Sequence, residues 1–336
     1  MTRLSNPHDK LFKEIWSDQE TARDFLHHYL PPEIRALIDL GTLEIRKDSF
    51  VSPDLKAFYS DLLYKVSFGG QPGYVYLLFE HKSRPDKMIG LQLLSYISSI
   101  WRLHLKQEGL PLPVIVPMVL YHGHENWNAA TDLLPLISPT NQQLLAYIPN
   151  FSFILFDLSQ YSDDQIKGEI LARVGLLLFK HVFTPGYDKK IPEIMLLLKA
   201  LLEKQTGLQY IETIMRYILN TADNLGVADL KQMVEENLSS TQGEVIMTLA
   251  DRIRQEGIQQ GIQQGVQQGI QQGIQQGIRQ GLLETIEMGI HLRFGAEGYR
   301  LLSKIYRIED INVLRAIKEA VKNVKTLDEL KLVIED

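Results

Sequence analysis

The chain has no cysteine in 336 residues, which excludes disulfides and thiolate metal sites and suits a reducing, cytoplasmic setting. It also lacks a long apolar run. The strongest, 110–121, is broken by prolines and too short to span a bilayer, so no membrane association is expected. The first ten residues have no apolar core of the signal-peptide kind. Positive charge is short as well: 35 Lys and Arg against 41 Asp and Glu leave a net charge of −6. That balance argues against a protein that coats nucleic acid. It does not exclude a nuclease, because local basic groups decide contact with phosphate. What remains is an ordinary globular composition, 45% hydrophobic and 23% charged, in a chain long enough for more than one domain.

The stretch 60–82 organises the rest. Two apolar-rich runs flank Gly69-Gly70-Gln71-Pro72-Gly73, the pattern of a β-hairpin with a loose loop. In the first run Leu62, Tyr64, Val66 and Phe68 share one face, and Asp61, Leu63, Lys65 and Ser67 share the other. The second run, 74–79, is apolar throughout, as a strand buried on both faces would be, and stops at Glu80-His81-Lys82. Pairing across that loop sets Asp61 opposite His81, and a one-residue bulge is then needed to align Asp61 with Glu80.

Two carboxylates and an ammonium at one sheet end can hold a hard cation beside a phosphate. In that reading Asp61 and Glu80 bind Mg²⁺ or Mn²⁺, helped by waters and the His81 carbonyl. Lys82 orients the attacking water or stabilises the transition-state oxygens. Stripped of this context, Glu-x-Lys marks only the point where a strand becomes solvated. Asp54 competes with Asp61, but after Pro53 it reads as a turn residue, whereas Asp61 opens an alternating strand.

Around the hairpin, Asn6-Pro7 begins a helix that runs towards Leu30, where Pro31-Pro32 interrupts it and a short helix to Leu40 follows. A first strand is expected over 43–51, a helix over 86–106, and buried strands over 112–121 and 151–158. On the 86–106 helix, Gln92 and Tyr96 stand four apart on one face, able to hold substrate phosphate or to position Lys82; equally, they form a helix face with one polar residue beside a half-buried tyrosine. Glu14, on the first helix, offers a third carboxylate or a solvated neighbour of Lys10 and Lys13. Tyr121-His122-Gly123-His124 reads as a structural turn, since no cysteine or third ligand accompanies the histidines.

From about Asp163 the periodicity is helical: 166–179, 191–202, 210–222 and 228–237. Glycine then recurs every fourth residue from Gly257 to Gly281, each followed by Ile, Val or Leu, with Gln-Gln in most gaps. Seven helical glycines cost about 1 kcal/mol each against alanine. Their spacing lets two backbones approach closely beside an Ile/Val row, so the segment reads as a self-association helix, giving a homo-oligomer; the competing reading is a low-complexity linker. Three regions result: 1–162 with the sheet, 163–250 helical, and 251–336 with the repeat and a helical tail.

Taken together, Pro7-His8-Asp9-Lys10-Leu11-Phe12-Lys13-Glu14, Ser60-Asp61-Leu62-Leu63-Tyr64, Glu80-His81-Lys82-Ser83 and Tyr121-His122-Gly123 resemble the Rpn family of recombination-promoting nucleases in the PD-(D/E)XK superfamily. The resemblance implies an α/β fold, a mixed sheet flanked by helices in the order α-β-β-β-α-β, followed by an all-helical carboxy-terminal region. It implies a Mg²⁺-dependent DNA endonuclease acting in recombination or defence, which hydrolyses phosphodiesters with a metal-bound water. On the matching positions Asp61 and Glu80 become metal ligands and Lys82 the third catalytic residue. Many members of the family have glutamine at the position of Lys82 and arginine at that of Gln92, so this chain stands closer to the wider superfamily's Glu-x-Lys and Gln-x-x-x-Tyr patterns. A separately translated carboxy-terminal piece of the same gene is a further partner the resemblance suggests. The alternative, from another class, is a non-catalytic DNA-binding or oligomerisation protein of a mobile-element system.

Overall fold

A computed structural model of the chain describes residues 7–46, 60–80, 84–137, 141–202, 207–222, 225, 227–237 and 239–335. It divides into two compact units, Met1–Arg252 and Ile253–Asp336. The first unit begins with α1 (Pro7–Trp16), α2 (Gln19–Tyr29) and α3 (Pro32–Arg35). Its strands are β1 (Ile38–Arg46), β2 (Ser60–Phe68), β3 (Gln71–Glu80), β4 (Val114–Tyr121) and β5 (Ile154–Asp157), with α4 (Ile89–Gln107) between β3 and β4. Helices α5 (Ile170–His181), α6 (Tyr187–Leu202), α7 (Gly207–Thr221) and α8 (Val227–Asn237) follow. The sheet order is β1-β2-β3-β4-β5; β1, β2 and β3 pair antiparallel, and β3, β4 and β5 pair parallel. This is the mixed sheet flanked by helices that the sequence led us to expect.

Several boundaries differ from the sequence reading. The single amino-terminal helix is two helices, because Asp18 leaves helical geometry (ψ 126°) and its carboxylate accepts from the Thr21 N–H, capping α2. The first strand begins earlier, at Ile38. The hairpin loop is two residues long. Phe68 pairs with Gln71 across Gly69 and Gly70, whose φ values of 54° and 84° suit the tight hairpin turn that glycine favours. Pro72 is accommodated inside β3 because it faces Ser67 in the pair next to the turn-closing one, where no ladder bond to β2 is needed, and β4 pairing starts only at Gly73.

The register from Ser60↔Phe79 to Phe68↔Gln71 is unbroken, so Asp61 lies opposite Leu78 rather than His81, and no bulge intervenes. The back face of the sheet packs on α1 and α5. Phe79 stacks on Phe12 (4.5 Å, 7°) and on His122 (4.8 Å, 4°), with Phe179 4.7 Å away, and the Tyr64 hydroxyl donates to the Trp16 carbonyl at 2.9 Å. The front face packs on α4 through Leu63, Tyr76, Leu78, Leu93, Tyr96 and Val119.

Helix α9 (Ser240–Ile305) contains the glycine repeat, and its later part packs in the second unit with α10 (Ile311–Asn323) and α11 (Leu327–Glu335). Gly295, at φ 58° and ψ −145°, breaks α9 into two helical segments. Ile286, Ile290, Ile305, Leu314, Ile317 and Leu330 form the core there. Arg279 donates to the carbonyls of Tyr306 and Ile308, and Arg293 to those of Val321 and Val324, supplying partners to carbonyls at two helix ends. Along the repeat, a methyl group built on any glycine from Gly257 to Gly281 meets nothing within 4 Å. Ile262, Val266, Ile270 and Ile274 are 57–61% exposed.

An ion cluster joins the loop after β5 to α5 and α6. Asp163 lies 2.5 Å from Lys180, 3.0 Å from His181 and 3.3 Å from Lys190. Burial disfavours its charge, but Lys180, His181 and Lys190 outweigh this and hold the carboxyl at about 2. A carboxyl whose folded value lies below its unfolded one stabilises the fold above pH ~4 and loses that effect as pH falls towards 2. Asp163→Asn should lower Tm at pH 7 by about 2–4 °C, the size of a 1 kcal/mol loss in a domain of this length. Thermal unfolding across pH tests this: the gap to the unaltered protein should narrow between pH 4 and 2, and a constant gap would contradict it.

Candidate active site at the sheet rim

The β2–β3 register decides where the acids lie. Side chains of paired residues share a face, so Asp61 shares the front face with its partner Leu78, and Glu80, two residues further along β3, shares it too. Diagonal neighbours of this kind stand about 7–8 Å apart, close enough for two carboxylates to converge. Glu80 pairs with Tyr121, and Tyr121 with Asp157, so the same row continues across β4 and β5. The backbone at Glu80 is anchored from behind by Phe79, wedged among Phe12, His122 and Phe179.

The two acids differ in burial, Asp61 being half-buried and Glu80 buried. Glu80 is 3% exposed. Burial raises the Asp61 carboxyl above the usual range, opposed by a hydrogen bond from Tyr76 and by the charge of Lys13. The Tyr76 hydroxyl donates to Asp61 Oδ2 at 2.8 Å. Burial, with smaller contributions from Asp157, Glu125 and Glu80, raises the Tyr121 hydroxyl to about 12, so it stays neutral beside the acids.

Among the residues proposed from sequence, Asp61 and Glu80 come together on one face at one rim. His81, Lys82 and the rejected Asp54 lie outside the described residues. Tyr96 is buried, its ring 5.3 Å from that of Tyr76. One turn earlier on α4, the Gln92 amide nitrogen is buried with no hydrogen-bond partner among the described residues. From α1, the residue whose charge reaches Asp61 is Lys13, whereas the charge of Glu14 is felt at Tyr210.

Two contributors escaped the sequence reading. Tyr76 was legible in principle, since it shares a face with Asp61, but only with the correct register. Lys13 depends on a helix lying across the sheet, which no local pattern reveals. Asp157, third in the acidic row, is committed elsewhere: its carboxylate accepts from the Ser159 N–H and hydroxyl and the Trp127 N–H.

The donor chemistry suits a hard divalent cation, because Asp61 and Glu80 are oxygen donors on one face of the sheet at its rim. Among the described residues no group of three or more His, Asp or Glu is arranged to hold a metal. Magnesium commonly takes only one or two protein carboxylates and keeps several waters, so Asp61 and Glu80 meet its ordinary requirement. Also among the described residues, no helix is long and apolar enough to cross a membrane.

Comparison with known proteins adds an independent line. Residues 6–209 match the model of a family described as "Putative transposase, YhgA-like". The chain is 33% identical over 255 residues to "Recombination-promoting nuclease RpnA" of Escherichia coli (strain K12), covering 76% of this chain and 86% of that protein. It is 33% identical over 259 residues to "Recombination-promoting nuclease RpnC" of the same strain, covering 76% and 83%. A third relative from that strain, 31% identical over 262 residues and covering 76% and 84%, is named "Inactive recombination-promoting nuclease-like protein RpnE". No solved structure matches the chain.

The burial of Asp61 has a measurable cost. A carboxyl raised on folding destabilises the fold as pH climbs through its titration range, and the penalty is absent below the unfolded value. Asp61→Asn keeps an acceptor for Tyr76 and removes the charge. In metal-free protein it should raise Tm at pH 7 by about 2–4 °C, roughly 1 kcal/mol, with the advantage vanishing below pH ~4. A lower Tm for the variant at pH 7 would count against this account.

Proposed function

We propose that this chain, which belongs to the family described as "Putative transposase, YhgA-like", is a DNA endonuclease of the recombination-promoting type, acting at the Asp61–Glu80 rim in recombination or defence. The observation that carries the reading is the hairpin register, which brings the buried Glu80 and the half-buried Asp61 onto one face. The names of two relatives, both recombination-promoting nucleases, support the same activity.

Asp61 and Glu80 would hold Mg²⁺, with Mn²⁺ an acceptable substitute, and the His81 carbonyl would add an oxygen. Such a cation, when bound, lowers the pKa of coordinated water and neutralises charge on a phosphate. Lys82 supplies a compact positive charge two residues after Glu80, suited to the oxygens of the transition state. Lys13 of α1 adds a positive charge whose field reaches Asp61. Gln92, with Tyr96 behind it, offers an amide to a substrate phosphate oxygen, and its nitrogen is a donor without a partner among the described residues. The repeat of α9 joins copies of the chain, since its open glycine positions and exposed Ile/Val row leave room for a second backbone.

The inactive relative supports a second reading, a DNA-binding or oligomerisation protein whose acids no longer cut. Supercoiled-plasmid nicking by purified protein in Mg²⁺ or Mn²⁺ separates the two. Asp61→Ala and Glu80→Ala should each reduce nicking on the order of 100-fold or more while preserving the circular-dichroism spectrum. Unchanged nicking in either variant would falsify the assignment, and metal-independent DNA binding without cleavage would favour the second reading. Deleting 257–281 should lower the number of subunits measured by light scattering; the same number of subunits before and after removes the self-association role.

A further inference from the structure

The β2–β3 hairpin buries two tyrosines whose hydroxyls do different work. Tyr64 points to the back of the sheet and donates to the main-chain carbonyl of Trp16, a tie between the sheet and α1. Tyr76 points to the front and donates instead to a carboxylate, Asp61 Oδ2, at 2.8 Å. Its ring is 2% exposed and rests against Tyr96 of α4, also 2% exposed, with centroids 5.3 Å apart. Tyr76 pairs with Leu63, so it sits two residues before the partner of Asp61 and reaches along the sheet towards the rim. Among the described residues no other side chain donates to Asp61.

An aspartate turns easily about its last torsion, which is broad and nearly two-fold. A fixed donor on one oxygen removes that freedom and leaves the other oxygen presented. We infer that Tyr76 is a positioning residue: its hydroxyl fixes which oxygen of Asp61 is left for a divalent cation, and Tyr96 holds the Tyr76 ring in place. The inference rests on reading the Asp61–Glu80 rim as a metal centre and extends it by naming what pre-orients one ligand. Groups that hydrogen-bond a metal ligand commonly contribute 10–100-fold to metal affinity.

The test compares Mn²⁺ affinity, followed by the loss of the free-ion electron paramagnetic resonance signal, with thermal unfolding of the metal-free full-length protein. Tyr76→Phe should weaken Mn²⁺ binding about 10-fold. Tyr64→Phe, which removes a buried hydroxyl on the opposite face, should lower the metal-free Tm and leave Mn²⁺ affinity within about 2-fold, the change expected of a tie that does not touch the rim. A ring-fluorinated tyrosine at position 76 keeps the shape and strengthens the donor, so it should not weaken binding and provides the readout if Tyr76→Phe does not fold. Unchanged affinity in Tyr76→Phe, equal weakening in Tyr76→Phe and Tyr64→Phe, or weakening by the fluorinated residue overturns the positioning role while leaving the metal centre standing. Failure of the unaltered protein to bind Mn²⁺ overturns the metal reading and this inference together.

Discussion

The candidate site depends on the length of one turn. Side chains on a strand alternate, so shifting the pairing by one residue exchanges the faces of every side chain on the moved strand relative to its partner. With Gly69 and Gly70 alone in the turn, Asp61 and Glu80 fall on the same face, two residues apart along the sheet. A three-residue turn would separate them onto opposite faces. Both turn glycines have positive φ, which side-chain-bearing residues adopt at a cost, so the shortest loop is also the one this dipeptide accommodates best.

Having reached one face, the acids are held by opposite kinds of packing. Behind the rim lies an aromatic stack, Phe12 on Phe79 on His122, which fixes the backbone immediately before Glu80. In front, α4 covers the sheet with apolar side chains and Tyr96, against which the Tyr76 ring rests while its hydroxyl reaches Asp61. The same burial that raises the Asp61 carboxyl thins the competing water around it, which strengthens any charge brought beside it. Stability and the proposed metal-binding role are therefore opposed at this residue, as stability and function commonly are where a fold keeps a charged group in a sheltered place.

Much of this was legible in the sequence. The alternation from Asp61 to Phe68 assigns the two faces of β2, and the element order places α4 and β4 directly after the acids. The turn length was not legible, because every residue of Gly69-Gly70-Gln71-Pro72-Gly73 is a turn former and proline argues against a strand. Only the absence of β4 alongside Pro72 makes that proline harmless. The break between α1 and α2 was hidden for a different reason: apolar residues continue on both sides of Asp18, and periodicity outweighed the cap signal. The field of Lys13 at Asp61 comes from the path of a helix over the sheet, which is a tertiary fact.

The glycine repeat poses the reverse problem, since it is regular in sequence and yet packs on nothing among the described residues along most of its length. Each helical glycine forgoes about 1 kcal/mol against alanine, and no internal contact returns it. The apolar residue after each glycine stays more than half exposed from Ile258 to Ile274, where water contact opposes it. Fourfold spacing on a helix of 3.6 residues per turn makes this row drift by about 40° per repeat, so a partner following it must wind around the helix. A helix that is costly to form alone and apolar along a winding stripe recovers that cost only when something covers the stripe. The proposed association rests on that asymmetry: a spacer would gain nothing from the isoleucines, whereas a covering backbone would use both the glycines and the side chains between them.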